Sequence, residues 1–118
     1  MAECLSLTLL QDVRSFGSRV YSFTAEGEMP PDAALAVRLQ KDATRAAVKI
    51  ARASAARNPR DQKQHLLAAF RTISDAISGL DALAKEEPAR AVEAAALAAE
   101  ASDLAEQIYG VVAEEVLL

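Results

Sequence analysis

The 118-residue chain contains no tryptophan, one cysteine, one histidine, four glycines and four prolines, and aromatic residues make up only 4% of it. Each scarcity excludes something. A lone Cys4 cannot close an internal disulfide, which removes support for an oxidising compartment. With only Cys4 and His65 as soft ligands and no Glu-x-x-His pair, neither a zinc site nor a di-iron centre is expected, and no cofactor is expected either. The absence of a glycine-rich phosphate loop and of a nucleophile elbow argues against a nucleotide-binding α/β fold and a hydrolase. Few β-branched residues stand outside short apolar patches, so a β-sandwich is hard to sustain. No run approaches the roughly 18 apolar residues of a membrane span. Leu5, Leu7, Leu9 and Leu10 follow Glu3 rather than a basic segment, unlike a secretory signal. The expectation is a soluble cytoplasmic protein.

What is abundant is alanine. Hydrophobic residues form 52% of the chain, but 27 of them are alanine, leaving 34 larger apolar side chains to fill a core. Helices are the default for such a composition, and 118 residues suffice for one domain spanning the whole chain. Pro30 and Pro31, Pro59 and Pro88 separate four stretches of helical periodicity, and each proline can open the helix that follows. The helices are expected at about residues 5–26, 32–57, 59–84 and 88–116. Asn58, Pro59 and Asp61 have the order of an N-cap, a first-turn proline and a capping-box acid. Short connections between long helices predict an all-α, antiparallel up-down-up-down four-helix bundle.

Apolar spacing supports that reading. In the first helix Leu9, Val13, Phe16, Val20 and Phe23 recur at intervals of three and four, and in the third Leu66, Phe70, Ile73, Ile77 and Leu80 do the same. The second seam is thinner: Leu35, Leu39, Ala43, Ala46 and Ile50. The fourth helix has Leu97, Ala101, Leu104, Ile108 and Val111 on one seam, and a second apolar strip of Val92, Ala95, Ala99, Tyr109, Val112 and Val116. One stripe is enough for a helix at the corner of a small bundle. The second strip is either a widened core face or a surface for self-association, joined there by the apolar ends of the chain.

Charge is segregated within a net charge of −4. Residues 1–37 carry −3, residues 38–71 carry +7 and residues 72–118 carry −8. Arg38, Lys41, Arg45, Lys49 and Arg52 are spaced to lie on one face of the second helix, and Arg57, Arg60 and Lys63 extend the basic region across the turn. The stripe can pair with the acidic fourth helix, in the same bundle or in another copy. It can equally be a solvated face, or it can neutralise nucleic-acid phosphates, although no exposed aromatic series accompanies it for base stacking. Glu86 with Glu87 and Glu114 with Glu115 fall at expected helix ends and read as solvated charge.

Arg60 and His65, with four residues between them, match the arginine-to-histidine spacing of HEPN-type ribonucleases, where such a pair would serve charge stabilisation and acid/base work. A broader resemblance covers most of the chain. Val20-Tyr21-x-x-Thr24, then prolines, then Arg45-Ala46-Ala47-Val48-x-Ile50 is similar to the signature of the bacterial four helix bundle protein family, first recognised as proteins encoded in 23S rRNA intervening sequences. The accessory variability proteins of diversity-generating retroelements are similar in fold. The chain departs from the family pattern at Lys49, where serine is usual, and after Ile50, where Ala51-Arg52-Ala53 replaces a proline-containing element. The resemblance implies a homopentamer of four-helix bundles and assigns no catalytic residue. The expected function is therefore a non-enzymatic homo-oligomeric assembly or interaction protein, with a nucleic-acid-binding accessory role as the alternative.

Overall fold

The four periodic stretches become four long helices, α1 (Ala2–Ala25), α2 (Ala33–Ala55), α3 (Pro59–Glu86) and α4 (Ala91–Leu117), with a 3-10 turn (Pro88–Arg90) ahead of α4. The structure, a computed structural model, describes residues 2–25 and 33–117, with side chains described at 8–25 and 34–113. Expectations resting on the Gly27 to Pro31 connection, or on the side chains of Cys4, Leu5, Leu7, Glu114, Glu115, Val116, Leu117 and Leu118, lie outside the described residues. No strand occurs among the described residues, and the molecule measures 47 × 20 × 19 Å.

Helix boundaries follow local chemistry. Asn58 is extended (φ −136°, ψ 156°), and its side-chain oxygen accepts from the Asp61 backbone N–H at 2.9 Å. Pro59 takes the first turn, where its missing N–H leaves nothing unsatisfied. Asp61 does not complete a capping box, because its carboxylate accepts from the Asn58 side-chain amide (3.0 Å) instead of from the Asn58 backbone. The α3 helix runs two residues beyond the expected end, to the last position before Glu87. There the residue preceding Pro88 is forced out of the helical region (φ −127°, ψ 80°) while its N–H still closes on the Leu83 carbonyl at 2.9 Å. Residues 88–90 then make a 3-10 turn, so α4 begins at Ala91 rather than at Pro88. At the other end of α2, Ala56 bonds back three residues to Ala53, which stops the helix two residues early.

Each helix turns one heptad-like seam inward, and the four seams form one core. The α1 seam is the expected one: Leu9, Val13, Phe16, Val20 and Phe23 are all buried. In α3 the seam differs from the bulky-residue reading. Leu66, Ile73 and Leu80 are buried together with Ala69, Ala76 and Leu83, while Phe70 and Ile77 are only partly buried at the edge. Small residues let the helix axes approach, and the large ones fold around the contact. The same economy shapes α2, where Ala36, Ala43, Ala46 and Ala53 alternate with Leu39 and Ile50. At Gly79 the packing is tight, since an added Cβ would stand 2.8 Å from Leu39 Cδ2.

Packing orders the helices as corners of a square. The α2 helix lies against α1 and α3, and α4 lies against α3 and α1, with no α1–α3 or α2–α4 contact among the described residues. The α1–α4 seam is the thinnest of the four. Polar bonds pin the corners. Thr24, buried near the end of α1, donates to the Val20 carbonyl (2.9 Å) and accepts from Gln40 Nε2 of α2 (2.7 Å). Gln62 Nε2 reaches the Ala53 carbonyl across the α2–α3 turn (3.4 Å). Arg90 donates to the Phe23 carbonyl, and Arg19 pairs with Glu100.

Candidate functional site

The outward face of α2 is what its inward seam leaves over. With Leu39, Ala43, Ala46 and Ile50 turned to the core, 3.6 residues per turn place Arg38, Lys41, Arg45 and Arg52 in solvent, and Lys49 half-buried beside them. Val37 and Val48, 48% and 42% exposed, occupy the same face. All five residues of the basic stripe therefore share one surface. None of them makes an ion pair within 4 Å among the described residues.

An acid sits at its margin that was not apparent from spacing alone. Asp42 is only 7% exposed, in a shallow depression between α2 and α3 lined also by Arg38, Lys41, Arg45 and Asp75. Burial pushes its carboxyl above the usual carboxylate range and nearby Asp75 pushes the same way, while Arg38 and Arg45 pull it down. The sequence signal for Asp42 is its place four residues after Arg38, three before Arg45 and next to core residue Ala43.

The second strip of α4 divides. Val92 is 84% exposed, Tyr109 is 61% exposed, and Ala95 and Ala99 lie between them in solvent. Val112 does not belong to that surface. It is buried with Leu104 and Ile108, because it falls on the inward side of the helix. Val116 lies outside the described side chains. Tyr109 tilts against Phe70 of α3 with ring centroids 6.1 Å apart, and these two rings with Ile77, Ala105 and Gly110 line a shallow apolar groove. Toward α1 the face turns acidic through exposed Glu93 and through Glu100, which is held by Arg19, while Asp103 is exposed on the same helix and Glu106 stands on the opposite side, at the groove with Phe70 and Tyr109.

Because α2 and α4 occupy opposite corners, the basic stripe does not meet the acidic helix of its own chain. The expectation of pairing within one bundle is corrected accordingly. Arg60 and His65 both lie on α3, and five residues of continuous helix turn them about 140° apart, so the structure does not bring them to a shared face. Glu86 is exposed, but Glu87 is not the solvated charge expected. It is half-buried, and its Oε2 has no hydrogen-bond partner among the described residues. Among those residues no three His, Cys, Asp or Glu side chains gather in a metal-binding group, and no helix is long and apolar enough to cross a membrane. The chain matches no protein-family model, and no curated protein or solved structure is significantly similar to it.

Proposed function

We propose that this protein is a non-enzymatic assembly or interaction module that works as a homo-oligomer built from antiparallel up-down-up-down bundles. The observation that carries the reading is the outward face of α4. A helix whose opposite side already supplies Leu97, Ala101, Leu104 and Ile108 to the core also leaves Val92, Ala95, Ala99 and Tyr109 in solvent. Burial of that strip against another copy removes apolar surface from water at no cost to the existing core. Antiparallel order is supported by pairings that join the late residues of one helix to the early residues of the next: Thr24 with Gln40, and Arg19 with Glu100 across the closing corner. A pentamer is the number carried by the resemblance to the four helix bundle protein family.

Light scattering on the purified chain at micromolar concentration tests the reading. A mass several times that of one chain supports it, and a mass of one chain throughout contradicts it. A nucleic-acid accessory role is the second reading, favoured by the exposed cations side by side on α2. It predicts salt-sensitive binding to a mixed RNA pool that is lost when Arg45 and Lys49 become Glu.

A further inference from the structure

We infer that copies of this chain join head to tail, the basic outward face of α2 in one copy docking on the acidic, small-residue outward face of α4 in the next. The inference rests on the self-association proposed above and names its two surfaces. The two faces carry complementary charge. The cations from Arg38 to Arg52 extend over about 21 Å of α2, and the acids Glu93, Glu100 and Asp103 extend over about 15 Å along one side of the outer α4 strip, with Glu106 on its other side, so the two faces are opposite in sign and overlap over most of that length. Neither row is neutralised by the other within a chain, since α2 and α4 do not touch among the described residues.

The two faces are complementary in relief as well. Ala95, Ala99 and Gly110 leave the outer face of α4 low, and among the described residues nothing stands within 4 Å of the place where a Gly110 Cβ would be. A low helix face admits a second helix at close axial distance. On α2, Val37 and Val48 project from the same face as the cations, three turns apart, as apolar knobs for such a surface. Long arginine and lysine stems add apolar cover while their heads reach the flanking acids.

Topology then sets the kind of assembly. The two faces are at opposite corners, so a contact between α2 of one copy and α4 of the next leaves one unused face at each end. Such a contact is heterologous and repeats until it closes into a ring or continues as a filament, and it cannot satisfy both faces in a two-fold dimer.

Charge reversal at exposed positions tests this. Three variants are compared with the wild type by sedimentation velocity, with far-UV circular dichroism confirming helix content: Lys41→Glu with Arg45→Glu, Asp103→Lys with Glu106→Lys, and all four together. Each double variant is expected to weaken assembly at least about tenfold, and the quadruple variant, in which attraction is restored with both signs exchanged, is expected to recover it. Lys41→Gln with Arg45→Gln, which removes charge without adding repulsion, is expected to weaken assembly less than the reversal does. If the wild type and both double variants assemble alike, the docking faces are wrong while self-association stands on another surface. A helical quadruple variant that fails to reassemble also overturns the pairing, and a monomeric wild type overturns both the pairing and the reading beneath it.

Discussion

The guanidinium of Arg90 lies 4.0 Å from the centroid of the Phe23 ring and donates to the carbonyl oxygen of the same residue. One side chain from the turn before α4 thus clasps the last turns of α1, where the helix pair is otherwise thinly packed. A charged donor to a backbone carbonyl and a cation over a buried ring together predict a loss of about 2 kcal/mol for Arg90→Ala, read from urea denaturation. Arg90→Lys should recover only part of it, because an ammonium lacks the planar face that stacks.

Two glycines in helix interiors predict opposite outcomes for the same substitution. At Gly17 an added Cβ would meet Ala43 Cβ at 3.9 Å, an ordinary contact, so Gly17→Ala should gain about 0.5–1 kcal/mol through helix propensity. At Gly79 the methyl would meet Leu39 at 2.8 Å and 3.3 Å, so Leu39, a fully buried core side chain, must shift. Overpacking of about 1–3 kcal/mol outweighs the propensity gain, and Gly79→Ala should lower the denaturation midpoint.

Asp42 predicts a pH signature. Its folded-state pKa is raised from 3.8, by burial first and Asp75 second, so the folded protein favours the protonated acid. That contribution to stability is fully present below the unfolded pKa and is lost as pH rises through the folded value. Asp42→Asn should therefore be more stable relative to the wild type at pH 7 than below the ordinary carboxylate range. Denaturation midpoints of both proteins across that interval check it, and a pH-independent difference contradicts it.

Asn58 predicts a local effect. Removing its side-chain oxygen leaves the Asp61 N–H without its 2.9 Å partner, and Asn58→Ala should cost about 1 kcal/mol. Asn58→Asp keeps the acceptor but places a second carboxylate beside Asp61, so it should fall between the two.

The breaks in the sequence were legible because proline and its neighbours act through local geometry: Asn58 caps, Pro59 starts α3, and Glu87 is turned out of the helix by Pro88. The α1 seam was legible too, its large residues being well spaced. In α3 the rule of following bulky residues chose Phe70 and Ile77, whereas the helix turns Ala69 and Ala76 inward, because close helix approach selects small side chains. The same ambiguity placed Val112 on the outer strip of α4, where alanine on every side blurs the boundary between faces. Which helix meets which is a tertiary property, and it separates the basic stripe from the acids once expected to neutralise it inside the bundle. Asp42 escaped notice for a related reason, since its burial depends on Asp75 and α3 standing beside it.

Self-association through α4 is tested by sedimentation velocity of the wild type beside Ala99→Lys, a substitution that adds bulk, and a charge of the same sign as the α2 face, in the middle of the exposed α4 strip without touching the core. Assembly through this strip predicts a wild-type species several times heavier than the 12.5 kDa chain, and a variant that sediments as a single chain with unchanged helix content. Identical sedimentation of the two proteins, whether both single or both assembled, would contradict it.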